Sequence, residues 1–322
     1  MAEYKGIKGF KTQSLASDPT LVEGQIWYNT TGNALKYLVN AGAWSAGDAC
    51  NTARVTTVGF GTNTAALMAT GWAPVISLLT ETYNGSSWTE VNNINTGRSQ
   101  TGGFGTTTAG VAACGGTNTG SAGSIGNVEE WDGTCFTEVN NVGTARYTFG
   151  MAGTQTAGLV IQGGYGPTYP GWVESYDGTS WSEIADCNTG RGNLGSAGTQ
   201  AAAMCFGSYH PPSLLTETYD GSSWTEVGDL NSTKMSLASA GSTTAALAGG
   251  GSLPPPRSGL TEVWDGTSWA EAADLTTATD AQANRIGASS LAALSVSGDN
   301  GSYTTAVEEW TYANRAKTVT VS

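Results

Sequence analysis

Thr80-Glu81-Thr82-Tyr83-Asn84-Gly85-Ser86-Ser87-Trp88-Thr89-Glu90-Val91 is the stretch whose recurrence decides the fold. Alternating residues on either side of Asn-Gly predict two short strands joined by a turn, with glycine supplying the positive φ. The unit returns as Val128-Glu129-Glu130-Trp131-Asp132-Gly133-Thr134-Cys135-Phe136, then from Val173 to Trp181, Thr216 to Trp224 and Thr261 to Trp269. A degraded copy, Val307-Glu308-Glu309-Trp310, comes last. Successive aromatic positions (Tyr83, Trp131, Tyr176, Tyr219, Trp264, Trp310) lie 48, 45, 43, 45 and 46 residues apart, the period of a four-stranded propeller blade.

Between these units a second segment repeats. Asn95-Thr96-Gly97-Arg98 leads to Ala109 through Gly116, and Thr144-Ala145-Arg146 leads to Gly158 through Gly164. Related stretches begin near Asn51, Asn188, Asn231 and Thr276, which makes six. Strands crowded about a central axis have little volume, which suits Ala, Gly and Thr. Strands at the rim must fill widening gaps, which suits Tyr83, Trp88, Trp131, Phe136, Tyr176, Trp181, Tyr219, Trp224, Trp264 and Trp269.

Bulk properties agree. The 322 residues include 46 glycines, about twice the usual share, and only 12% are charged. The net charge of −13, with no Lys/Arg cluster, argues against a nucleic-acid partner. No apolar run reaches membrane-spanning length, so no membrane insertion is expected, and the N-terminus lacks the apolar core of a secretory signal. Five cysteines without Cys-x-x-Cys spacing suggest reduced thiols, and with a single histidine no metal or other cofactor is expected.

Residues 51–322 resemble the kelch repeat family. The likeness rests on Gly115-Gly116 and Gly163-Gly164 after the second strand, the aromatic-Asp-Gly turn, the outer Trp and an Arg before the next blade. The double glycine departs to Gly71-Trp72, Gly207-Ser208 and Ser297-Gly298. The resemblance implies an all-β, six-bladed kelch-like propeller, with a partial seventh blade as the alternative. It leaves function open, because kelch propellers include enzymes, adaptors and structural proteins.

One glutamate recurs per blade (Glu81, Glu129, Glu174, Glu217, Glu262, Glu308), and Arg54, Arg98, Arg146, Arg191 and Lys234 share one register. Such symmetry reads as an inter-blade ion pair or hydrogen-bonded brace rather than a ligand ring. No catalytic residues are assigned, and the chain is expected not to be an enzyme. Galactose oxidase needs several His and Tyr copper ligands, whereas His210 stands alone. Asp177-Gly178 lacks the residue that separates Asp from Gly in a sialidase Asp-box.

Asymmetry lies elsewhere. Segments between second and third strands stop resembling one another and would emerge on one face, where a rigid scaffold presents loops for contact. Trp72, Tyr165, Tyr169, Trp172, Tyr209, His210 and Arg257 are the candidate partner or glycan contacts. Residues 1–24 read as an extended arm in which Tyr4, Lys5, Lys8 and Phe10 are candidate assembly contacts. Residues 25–50 read as a β-hairpin and ring-closing segment. Trp44 precedes Arg54 by ten residues, as Trp88 precedes Arg98, which makes Trp44 an outer-strand residue beside the last blade. Lys317 to Val321 competes for that place.

Gly24-Gln25-Ile26-Trp27-Tyr28-Asn29-Thr30-Thr31-Gly32-Asn33-Ala34-Leu35-Lys36-Tyr37 resembles hairpin segments of tailed-phage virion proteins. That resemblance, over about the first 50 residues, implies a tail fibre, adaptor or decoration protein. Such a protein would assemble in the bacterial host cytoplasm as part of an oligomeric structure. Its partners would be other virion proteins through the arm, and a host-surface glycan or protein through the loops. A free carbohydrate-binding or glycan-acting propeller and a cellular kelch adaptor are the alternatives.

Overall fold

A computed structural model describes residues 13–17, 19, 26–117, 123–164, 167–252, 257–280 and 286–318. The arm residues Tyr4, Lys5, Lys8 and Phe10 and the loop residue Tyr165 lie outside them. The chain divides into two compact units, Ala43–Thr311 and Met1–Gly42 with Tyr312–Ser322.

The larger unit is an all-β, six-bladed propeller of antiparallel sheets. Blade 1 holds Val58–Thr62, Ala65–Ala69, Thr80–Tyr83 and Trp88–Val91, from the axis outward. Blade 2 holds Gly102–Thr106, Ala109–Ala113, Val128–Trp131 and Phe136–Val139; blade 3 holds Gly150–Thr154, Ala157–Ile161, Val173–Tyr176 and Trp181–Glu183. Blade 4 comprises Gly195–Gly198, Ala203–Tyr209, Pro212–Tyr219 and Trp224–Glu226, and blade 5 Ala238–Ser242, Ala245–Gly249, Thr261–Trp264 and Trp269–Glu271. In blade 6, Ile286–Ser289, Ala292–Val296 and residues 307–311 are completed on the outside by residues 43–47. Residues 43–47 take that outer place; of the competing segment Lys317 to Val321, residues 319–321 lie outside the described residues, and no seventh sheet forms among the described ones.

The core lies between blades. Six clusters of buried side chains each join two neighbours, and the one containing Tyr83, Trp88, Ile286, Leu294 and Val296 joins blade 6 to blade 1. Trp44 fills its outer position by packing on Trp310, with ring centroids 5.4 Å apart, and by donating Nε1–H to Thr261 Oγ1 at 2.9 Å. Trp269 donates to Thr216 Oγ1 in the same way one blade earlier. The outer turns are four-residue loops; Asp177, for example, accepts from the amides of Thr179 and Ser180 while Gly178 takes φ 91°.

The recurrent glutamates and arginines pair within a blade, not between blades. Arg54–Glu81, Arg146–Glu174 and Arg191–Glu217 are buried ion pairs, and Lys234–Glu262 substitutes an ammonium at 3.3 Å. Each glutamate also accepts from backbone amides of the lead-in segment, as Asn51 N–H donates to Glu81 at 2.6 Å. The pair thus fastens the segment entering a blade to that blade's third strand. Blade 6 carries Thr279 at the cation's position, and Glu308 accepts the Thr276 and Thr277 amides instead.

Neighbouring blades are joined by backbone. The N–H groups of Gly71, Gly115 and Gly163 donate to the carbonyls of Arg98, Arg146 and Arg191, and Gly298 N–H donates to Arg54 O at 3.0 Å, closing the circle. These glycines take φ between 104° and 113° after a residue already left-handed, such as Thr70 or Ser297. Only the first glycine of each kelch-like pair meets this demand, so Ser297-Gly298 aligns with Cys114-Gly115. The second glycine sits where other blades vary.

The smaller unit contains a hairpin, Ile26–Asn29 with the start of Ala34–Gly47, in register Ile26↔Tyr37 to Asn29↔Ala34. Gln13–Leu15 pairs parallel to its first strand, and Trp27 is fully buried.

Candidate binding face

The variable position defines a ring. In each blade the residue after the Arg register forms an isolated antiparallel bridge with a residue following the second strand: Val55–Trp72, Ser99–Gly116, Tyr147–Gly164, Gly192–His210, Met235–Ser252 and Asp280–Asp299. Adjacent lead-ins are laced together one residue further on, where Gln100 N–H donates to Thr56 O and Asn193 N–H to Thr148 O. The six positions correspond around the ring, with one residue inserted before the bridge in blade 4, while the side chains are chemically different in each. Val55, Trp72 and Ile76 make an apolar sector, blade 2 contributes small residues, blades 3 and 4 are aromatic, and blade 6 presents two carboxylates.

The aromatic sector is built from both sides of one blade boundary. Tyr169 of blade 3 stacks on His210 of blade 4, with centroids 4.6 Å apart and planes 10° apart. Tyr209 meets His210 edge-on at 4.3 Å, and Tyr147 meets Tyr169 edge-on at 6.3 Å with hydroxyls 3.5 Å apart. Two glycines make the room. A Cβ on Gly164 would lie 2.5 Å from Tyr147 Cζ, and one on Gly192 would lie 2.3 Å from Tyr169 Cδ1. His210 reaches its position because the second strand of blade 4 carries one residue more before the bridge, absorbed by an irregularity at Phe206/Ser208.

Burial lowers the His210 pKa below the ordinary histidine value. Burial and the Tyr147 hydroxyl raise that of Tyr169. Both shifts favour the uncharged forms of His210 and Tyr169, and the cluster presents rigid ring faces with hydroxyl or imidazole edges. Such surfaces contact sugar rings and protein side chains at low entropic cost.

Of the residues singled out in sequence, Tyr169, Tyr209 and His210 come together. Trp172 is 36% exposed, and its carbonyl accepts from the Gln162 amide and Arg146 Nη1. Trp72 stands apart on blade 1, bridged to Val55 and Ile76. Arg257 is held by Asp280 Oδ1 at 3.4 Å and Asp299 Oδ2 at 2.7 Å, and the Asp299 bond raises its pKa. Ser252 Oγ donates to Asp280. Tyr147, Asp280 and Asp299 escaped the sequence analysis, although each carried a signal: a varying residue next to a repeating one. Among the described residues no group of three or more His, Cys, Asp or Glu is placed to hold a metal ion.

A cavity of about 260 Å³ opens at the opposite end of the axis, lined by Phe60, Phe104 and one glycine per blade, such as Gly61 and Gly153. Those glycines answer to local geometry: a Cβ on Gly61 or Gly153 would meet the carbonyl of Ala65 or Ala157 at 2.3 or 2.1 Å.

Comparison with known proteins supports the architecture. No family model matches the chain, and no curated protein matches it. The solved structure of YjhT superposes with a TM-score of 0.68 at 11% identity, covering 84% of this chain and 99% of that one. At that identity the likeness carries the fold alone.

Proposed function

We propose that the chain is a non-enzymatic binding scaffold that uses its loop face to hold a glycan or protein, in a phage virion that it joins through its N-terminal region. The observation that supports it is the ring of six corresponding bridges bearing non-equivalent side chains. Repetition of Glu, Arg and Trp serves the frame, and what does not repeat gathers on one face. A virion setting rests on the hairpin sequence Gly24 to Tyr37 and its likeness to tailed-phage virion segments.

Binding of the purified full-length protein to surface polysaccharide and to surface proteins of candidate hosts tests the scaffold. Tyr169→Ala and Tyr209→Ala should weaken binding at least tenfold with little change in melting temperature. Equal binding by both variants would remove the aromatic sector from the interaction. Turnover of the polysaccharide would replace the scaffold with a glycan-acting enzyme. Mass spectrometry of purified particles tests the setting, and absence of the chain from them would refute it.

A further inference from the structure

In four blades the residue just before the glutamate-bonded lead-in lies in the same core cluster as the second-strand residue opposite that glutamate. Cys50 shares a cluster with Met68, Ile94 with Ala112, Val142 with Val160 and Leu230 with Ala248. Met68, Ala112, Val160 and Ala248 lie opposite Glu81, Glu129, Glu174 and Glu262. In blade 4 both members are cysteines, Cys187 and Cys205, and Cys205 lies opposite Glu217.

Glu217 fixes the geometry of this pair. Its carboxylate accepts from the Asn188 amide at 2.7 Å and from Arg191 Nη2 at 2.8 Å, which holds the chain on the far side of Cys187 against the strand of Cys205. The Cys205 sulfur accepts from Arg191 Nη2 at 3.4 Å and Gln162 Nε2 at 3.7 Å, while the Cys187 thiol donates to it. Burial opposes ionisation of Cys205, but the Cys187 hydrogen bond and the Arg191 charge outweigh it and lower its pKa. Burial and the same hydrogen bond raise the pKa of Cys187. Both are free thiols here.

We propose that Cys187 and Cys205 are a latent disulfide, which closes when the folded protein meets a small oxidant such as hydrogen peroxide. The Cys205 sulfur attacks one peroxide oxygen, the O–O bond breaks, and hydroxide leaves to become water. Cys187, having given up its proton, then attacks the sulfenic sulfur of Cys205, the S–O bond breaks and a second water departs. Two thiols are oxidised by two electrons and one peroxide is reduced. Closure ties the lead-in of blade 4 to the strand that ends in Tyr209 and His210, and so makes the floor of the aromatic sector covalent.

The test uses the full-length protein with Cys135→Ser, which removes the exposed thiol. After peroxide treatment and blocking of free thiols, trypsin cuts after Arg191 and leaves the two cysteines in different peptides. A reductant-sensitive Cys187–Cys205 cross-linked peptide is expected, with a melting temperature raised by roughly 5 °C or more. Cys187→Ser and Cys205→Ser should each abolish both changes. The proposal is overturned if Cys205 goes to sulfinic acid without cross-linking, if both stay thiols, or if the cross-link forms only in denaturant.

Discussion

Phe104 of blade 2 occupies the volume that a side chain at Gly158 of blade 3 would need: a Cβ there would lie 2.1 Å from Phe104 Cζ. Phe60 stands in the same relation to Gly110, at 2.3 Å. One joint further round, the equivalent positions are Ala152 and Ala203, both buried in one cluster. Large-against-small and small-against-small thus fill the same wedge between blades.

Gly158→Ala should therefore destabilise the protein by about 1–3 kcal/mol through overpacking. Phe104→Ala should do so by about 3–5 kcal/mol through the cavity it leaves. Together they recreate the Ala152–Ala203 joint, so the double variant should lose less than the sum. Urea unfolding of all four proteins measures the coupling, and strict additivity would refute the packing argument.

Glu174→Ala removes the carboxylate from the buried Arg146 guanidinium and should lower stability by about 3–5 kcal/mol. Glu308→Ala, with Thr279 at the cation's position, strips the Thr276 and Thr277 amides among the described residues and should lose about 1–3 kcal/mol. The ordering of the two in chemical denaturation is the check.

Trp44→Ala should behave as loss of a core tryptophan, about 3–5 kcal/mol, although the residue lies near the start of the chain. Its indole holds Thr261 and Trp310, so removing it frees the strand that completes blade 6. Hydrogen exchange in residues 43–47 and 307–311 should accelerate more than in blade 3. Uniform acceleration would contradict this.

His210 titrates lower in the folded protein than its ordinary value of 6.5, so the unfolded chain binds the proton more readily. Its contribution to stability is present above about pH 6.5 and is lost as pH falls through the folded value. His210→Phe keeps a ring against Tyr169 but cannot be protonated. The variant should show a shallower fall in stability between pH 7 and pH 5 than the parent, by thermal denaturation across that range.

The blade repeat was legible because hairpin alternation, glycine turns and rim tryptophans are local demands that recur at a fixed spacing. Trp44 was legible for the same reason, since its distance to Arg54 copies that of Trp88 to Arg98. The partnership of Glu and Arg could be seen, but not that it stays inside a blade, because sequence does not give the path of the lead-in. Tyr147 was hidden by its place beside Arg146, where the repeating residue drew attention. Gly164 was misassigned to the frame: its glycine answers to the Tyr147 ring rather than to backbone conformation.

The bridges around the loop face are main-chain contacts, so except where a neighbouring ring demands glycine, as Tyr147 and Tyr169 do at Gly164 and Gly192, the side chain is uncoupled from the closure of the ring. A Val–Trp pair and an Asp–Asp pair occupy the same joint without altering it. Half-buried positions such as Trp72 and Met235 can accordingly be varied together, much as loops are diversified on an antibody framework. The chain offers a reprogrammable recognition surface, in which new specificities are selected by substitution alone, with no change of loop length.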